Sequence, residues 1–246
     1  MPNLCIKLPV TSSSAQIKLN DVDLSKIVVS KDYEYRYFPL NGNIYSNDLS
    51  DKLVPSATTV YSILPDHISF NNNNAANTAL RSAYTPPSNV RFQMSGVFTI
   101  GTFPASALGM LIGNFNNPSG VNQGSCFYIN QSKQLIVLFG GNDSSTLTTL
   151  VNVNSPIYVS AIVDKANKTL DYYVVAEGQT FQGRRTTSTL NESSIPISIG
   201  NTMQAQASNG IYNCYDFVVD SLNRYADLAS YYNDARARMS LKGISI

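Results

Sequence analysis

The stretch Val90-Arg91-Phe92-Gln93-Met94-Ser95-Gly96-Val97-Phe98-Thr99-Ile100 sets Val90, Phe92, Met94, Phe98 and Ile100 on one side and Arg91, Gln93, Ser95 and Thr99 mostly on the other. A period of two predicts a half-buried strand, because successive side chains of extended backbone point to opposite faces of a sheet. Ile157, Val159, Ala161 and Val163 repeat the alternation. Leu170, Tyr172, Val174 and Ala176 do so again after the turn-like Asp164-Lys165-Ala166-Asn167-Lys168, and the two runs together predict a hairpin. Leu135 to Phe139 is a short apolar run stopped by Gly140-Gly141-Asn142-Asp143, the pattern of a central strand covered on both faces. Ile195, Ile197 and Ile199 alternate up to Gly200-Asn201, and Gly210 to Val219 supplies a further strand. Strands at this density, punctuated by Gly, Asn and Pro, predict an all-β chain folded as an antiparallel β-sandwich.

Two segments stand apart from this pattern. From Asn223 to Met239, the residues Tyr225, Leu228, Ala229, Tyr232, Arg236 and Met239 fall on one face at helical spacing. Asn223 is the expected N-cap, Arg236, Arg238 and Lys242 suit the negative pole of the helix, and Gly243 is the expected stop. Near the N-terminus Ile6, Leu8 and Val10 alternate, Ser12-Ser13-Ser14 interrupts, and Ile17 and Leu19 resume. Tyr33, Tyr35 and Tyr37 alternate later, and Asn41-Gly42 marks a tight turn into Ile44 and Tyr45. A few short strands do not stand alone in water, so this piece is expected to pack on the main domain or on another subunit. The chain divides into a β-rich extension, 1–54, for docking or oligomerisation, and a sandwich domain, 55–246, with the boundary between Asp48 and Pro55.

Charged residues make up only 13% of the chain and nearly cancel, at +1, so polarity comes from Asn, Ser, Thr, Gly and Tyr. Such a surface recognises by hydrogen bonds, and nucleic acid is not an expected partner, since phosphate binding draws on clustered Lys and Arg. The one adjacent basic pair, Arg184-Arg185, is read as a solvated turn. Cys5, Cys126 and Cys214 form neither a disulfide framework nor a zinc pattern. No secretion signal opens the sequence, and no stretch approaches the roughly 18–20 apolar residues of a membrane span, so membrane insertion is not expected. The triplets at Asn130, Asn142, Asn167 and Asn191 are then expected to carry no glycan.

From about Pro65 onward the order of motifs resembles the concanavalin A-like lectin and glucanase superfamily in its laminin-G-like, pentraxin-like form. His67-Ile68-Ser69-Phe70 precedes an Asn-rich loop, and Phe92 to Ile100 stands where the family has an early core strand. Gly109 to Phe115 and Gly124 to Phe139 are similar to its paired strands, and Pro156 to Ala176 to its long hairpin. Ile197-Ser198-Ile199-Gly200 is similar to a late strand, and Gly210 to Val219 with Leu222 to Tyr232 to its closing strand and helix. The resemblance covers roughly 180 residues and implies a jelly roll.

Because that fold carries lectins, glycosidases and structural modules alike, function rests on sites. Retaining glycosidases of the family carry a strand such as Glu-x-Asp-x-x-Glu, placing two carboxylates about 5 Å apart. Here Glu34, Glu177 and Glu192 lie in no such run, and Asp164 and Asp171 flank a hairpin turn. His67, the single histidine, sits in an apolar strand without a Gly-x-Ser-x-Gly elbow. The expectation is a protein that is not an enzyme and has no cofactor. Calcium, used by some relatives, would have Asn114, Asn116, Asn117, Asn142 and Asp143 as oxygen donors, with one carboxylate among them, and no metal is expected.

Sugar recognition favours aromatic faces with amide and hydroxyl groups at the ring edges. Fifteen Tyr and the Asn clusters at 71–74, 114–117 and 142–143 suit it. The expected ligand-binding residues are Asn114, Asn116, Asn142 and Asp143 as edge hydrogen-bonders, with Tyr128 or Tyr173 as the stacking surface. The tail from Met239 to Ile246 is similar to endings of phage-borne lectin-like domains. The expected role is thus a virion structural protein, a phage tail or fibre component docked to other subunits by its N-terminal segment and touching host-surface glycan. The resemblance implies a homotrimer. The alternative is a free-standing carbohydrate-binding or adhesion module of a cellular organism, for which a Cys126–Cys214 disulfide would speak.

Overall fold

The structure, a computed structural model, describes residues 35–40, 43–46, 53–56, 59–71, 78–106, 108–201 and 209–246. Its strands are β1 (Tyr35–Leu40), β2 (Asn43–Ser46), β3 (Val54–Pro55), β4 (Val60–Ile63), β5 (Ile68–Asn71), β6 (Thr78–Arg81), β7 (Arg91–Thr102) and β8 (Gly109–Gly113). They continue with β9 (Cys126–Ile129), β10 (Gln134–Phe139), β11 (Asp143–Thr149), β12 (Ile157–Asp164), β13 (Thr169–Ala176), β14 (Gln179–Thr186), β15 (Ser198–Asn201) and β16 (Ile211–Asp220). One helix, α1 (Leu228–Ser240), follows. The expected patterns at Ile6 to Leu19, Tyr33, the Asn41-Gly42 turn, Asn72 to Asn74 and Cys5 lie outside the described residues.

Two antiparallel sheets face each other, as the alternating strands predict. The first runs β14-β13-β12-β7-β16, and its far edge is divided: β5 pairs with Ile211 to Cys214 of β16, while β1 pairs with Phe217 to Val219. The register of β16 on β7 shifts between Cys214 and Asp216, a bulge that turns the strand between its two edge partners. The second sheet runs β11-β10-β9-β8-β15-β6-β3. Phe92, Met94, Phe98, Val159 and Phe217 of the first sheet and Ile112, Phe127, Val137, Phe139 and Ile199 of the second meet in one core. Each such side chain contributes about 1.5–3 kcal/mol by leaving water. Within the segment expected as an extension, β1 belongs to the first sheet, with Tyr37 in the core and Phe38 buried on the opposite face.

The expectation of a half-buried strand at 90–100 is corrected. Gln93, Ser95 and Thr99 are 0%, 3% and 4% exposed, because α1 lies across the outer face of the first sheet. Val97, Phe38 and Tyr158 are buried there against Ala235 and Met239, and Ile162 and Val218 against Leu228 and Tyr231. Two of the polar pairs on this face are bonded: Gln93 Nε2 donates to Ser160 Oγ at 3.0 Å and Asn213 Nδ2 to Thr99 Oγ1 at 3.0 Å, while Gln93 Oε1 and the Tyr158 hydroxyl are buried without a hydrogen-bond partner among the described residues.

The helix also corrects its own forecast. Its N-cap is Asp227, whose carboxylate accepts from the Ser230 N–H, while Asn223 adopts a left-handed φ of 53° and donates its amide to the Arg91 carbonyl. The buried side is Leu228, Tyr231, Ala235, Arg238 and Met239, so Ala229 and Arg236 point outward. The rotation follows from polar anchors that apolar spacing cannot register. Tyr231 O–H donates to Asp220 Oδ2 at 2.7 Å, and Arg238 donates to Asp216 Oδ2 from Nε at 2.9 Å and Nη2 at 2.6 Å. Gly243 does stop the helix, at φ 71°, with Ile244 N–H bonded to Met239 O and Gly243 N–H to Ser240 O, the paired bonds of a Schellman motif. Just before it, Lys242 Nζ donates to the Asp66 and Tyr215 carbonyls, both at 2.6 Å, over the Phe38 ring. Burial pushes its pKa down to about 8.

Cys126 lies on the outer side of the second sheet beside Met110 and Leu138, whereas Cys214 lies in the core. Both thiols are free, and burial pushes both pKa values up. Among the described residues no helix is long and apolar enough to cross a membrane.

Candidate ligand-binding groove

The residues expected to bind ligand do not converge. Asn114 and Asn116 are 3% and 5% exposed, and their amide oxygens accept from the Ser125 and Asn117 N–H groups at 3.0 and 2.9 Å, so these oxygens are already engaged in holding the loop between β8 and β9. Gly141 joins that loop to the β10–β11 turn, its N–H donating to Gly124 O, and its φ of 80° and close approach to Asn122 O leave no room for a side chain. Asn142 is exposed on the same turn. Asp143 forms a bidentate ion pair with Arg185, which ties edge strand β11 of one sheet to edge strand β14 of the other. Tyr128 is half-buried on the outer side of the second sheet, where burial raises its pKa to about 12. Tyr173 stands on the outer side of the first sheet, against Tyr232 of α1.

Tyr173 lies in an open groove, and the cause is the footprint of the helix. α1 packs on β16, β12 and β13, with Tyr173 and Val175 of β13 against it, but β14, hairpinned to β13, reaches beyond it. Their hairpin turns on Glu177-Gly178, with φ of 52° and 76° and Ala176 opposite Gln179, a two-residue turn whose positive φ values match strand twist. Between this uncovered ledge and the start of α1 runs a groove of about 540 Å³, lined by Ile162, Asp171, Tyr173, Gln182 and Arg184 from the sheet and Ala226 to Ala229 from the helix side. That size is within the range of small-molecule sites, about 300–1,000 Å³.

The Arg184-Arg185 pair corrects another expectation, because it lies in strand β14 and not in a turn. Alternation sends the two guanidinium groups to opposite faces. Arg185 points inward to Asp143, while Arg184 lines the groove and donates to Asp171 Oδ1 at 2.6 Å and Oδ2 at 2.9 Å. The hydrogen bonds and charge of Asp171 raise the Arg184 pKa. At the helix start, Asp227 accepts from Ser230 N at 2.8 Å and Ser230 Oγ at 3.0 Å, and these bonds hold its carboxyl below the usual range. Gln182 is exposed beside them. The groove therefore offers one aromatic surface, one free amide and two carboxylates held in place by partners that leave lone pairs available. Strand alternation across Gln179 to Thr186 carried the signal for Gln182 and Arg184, and it passes unnoticed when the Arg pair is taken as a turn. Among the described residues no group of three or more His, Cys, Asp or Glu converges to hold a metal ion.

No protein-family model matches the chain, and no curated protein matches it in sequence. Among solved structures it is similar to Trypanosoma rangeli sialidase in complex with sialic acid, at 14% identity and a TM-score of 0.52, over 77% of this chain and 31% of that one. It is also similar to that sialidase in complex with 2,3-difluoro-KDN, at 14% identity and a TM-score of 0.50, over 82% and 36% of the two chains. The CBM40 of Ruminococcus gnavus IT-sialidase bound to alpha2,3 sialyllactose matches at 13% identity and a TM-score of 0.40, over 55% of this chain and 77% of that one. The chain spans about a third of the length of the sialidase chains it matches. The expectation that the chain is not an enzyme is corrected by the two T. rangeli neighbours, which are sialidases. That expectation rested on missing paired carboxylates, and glycoside hydrolysis does not always use such a pair, since a tyrosine can serve as nucleophile. What these similarities establish is the fold, an antiparallel β-sandwich of a kind found within sialidases.

Proposed function

We propose that the chain binds glycan in the groove between α1 and the outer face of β13 and β14. The observation that carries this reading is the Tyr173 ring set beside Gln182 and the Asp171–Arg184 pair in a groove of about 540 Å³. The apolar face of a pyranose stacks on an aromatic ring, and its hydroxyls pair with amide, carboxylate and guanidinium groups around the rim. The reading keeps Tyr173 as the stacking surface and replaces the loop asparagines with Gln182, Asp171 and Arg184 as edge partners. It further takes the chain as a concanavalin A-like, lectin-like domain of a virion tail or fibre, assembled with other subunits as a trimer. The order of motifs from Pro65 onward and a polar surface of low charge support that part.

A glycan array probed with the full chain, followed by titration of its best ligand, tests the groove. Gln182→Ala together with Arg184→Ala abolishes binding and shifts the unfolding temperature by no more than about 2 °C, because both side chains are exposed. Undiminished binding in that variant overturns the assignment. Light scattering on the full chain tests assembly: a trimer mass supports the fibre reading, and a monomer removes it.

A further inference from the structure

We infer that the groove selects neutral or amine-bearing sugars over anionic ones, an inference that rests on the glycan reading of the same groove. The argument is the charge of the lining. Arg184 is the one cation among the groove residues, and both oxygens of Asp171 already engage it, at 2.6 and 2.9 Å. Asp227 adds a second carboxylate from the helix side, and the charge of Asp164 also reaches Arg184. The ion pair cancels itself, and Asp227 leaves the lining net negative.

The usual refuge for an anion, the N-terminus of a helix, is closed here. Free N–H groups and the positive pole of the dipole would favour a carboxylate at the first turn of α1. That place is taken by the chain's own Asp227, which accepts from Ser230 N at 2.8 Å and from Ser230 Oγ at 3.0 Å. A sugar carboxylate entering the groove therefore meets a filled cap and a neutralised guanidinium. A neutral ring meets the Tyr173 face, the Gln182 amide, and carboxylate oxygens with lone pairs spare for vicinal hydroxyls.

Calorimetric titration of the full chain with chitotriose, lactose and cellotriose, against sialyllactose and trigalacturonate, tests the inference in 20 mM and 500 mM NaCl. The expected result is binding of at least one neutral sugar with little salt dependence. The anionic sugars bind about fivefold or more weakly at low salt, a gap that narrows at high salt as the repulsion is screened. Asp171→Asn together with Asp227→Asn, which frees Arg184 while Asn keeps the helix capped, raises affinity for the anionic sugars about tenfold. Tighter binding of an anionic sugar by the native chain, lost in Arg184→Ala, overturns the charge selection and leaves the groove as the glycan site. Binding of no sugar, or binding unaffected by Gln182→Ala with Arg184→Ala, overturns the groove reading and the selection together.

Discussion

Replacing Arg238 by Met probes what holds α1 on the sheet. The Arg238 side chain is 6% exposed and that of Asp216 is 2% exposed, with two hydrogen bonds of 2.9 and 2.6 Å between them. Arg238 Nη1 also donates to Asp234 Oδ2 at 2.5 Å, one turn back on the helix. Methionine fills much of the same volume, so the principal loss is the partner of a buried carboxylate. Stranding such a charge costs roughly 3–5 kcal/mol, more than the pair itself contributes, because Asp216 keeps its desolvation penalty and loses its compensation. For a chain of this size each kcal/mol moves the midpoint by about 2–4 °C, so Arg238→Met should melt about 6–20 °C below the native protein. Near-ultraviolet circular dichroism and tyrosine fluorescence follow the transition, since the chain has fifteen Tyr and no Trp. The decisive comparison is Arg238→Met combined with Asp216→Leu, which removes both charges and should return stability to within about 1 kcal/mol of the native value. A single variant melting within about 2 °C of native would show that the helix is not held by this pair. A double variant as unstable as the single one would place the loss in packing.

Asn142→Ala with Asp143→Ala lowers stability by about 0.5–1.5 kcal/mol in urea titration, because Asp143 joins the two sheets through Arg185; an unchanged midpoint would remove that role. Lys242 gives stability a rise with pH. The unfolded chain holds this proton up to the ordinary lysine range near 10.5 and the folded chain releases it near 8, so the unfolded state binds more protons in between. Urea titrations at pH 7 and pH 9.5 should show that gain in the native protein and not in Lys242→Met. Gly141→Ala, whose Cβ would stand 2.2 Å from Asn122 O at φ 80°, costs about 2 kcal/mol or more, whereas Gly178→Ala, at φ 76° in open space, costs only about 1 kcal/mol. Equal losses would mean that the loop yields to the added methyl.

Extended and helical segments were legible in the sequence because their signals are local. The period of two at Val90 to Ile100 and across Ile157 to Ala176, the helical spacing from Tyr225 to Met239, and the stop at Gly243 each depend on backbone geometry over a few residues. They determined an antiparallel sandwich closed by a C-terminal helix. What lies above a strand's polar side is a long-range matter, and only the tertiary structure decided that Gln93, Ser95 and Thr99 sit beneath α1. The same holds for charges. Asp143 finds Arg185, Asp171 finds Arg184 and Asp216 finds Arg238 across separations of 42, 13 and 22 residues, which no local period records. The groove belongs to this second class, since it exists where the start of the helix meets β13 and β14 continues beyond it. Side-chain alternation follows from the chain's own geometry, whereas pairing, cover and charge compensation depend on which distant segments meet.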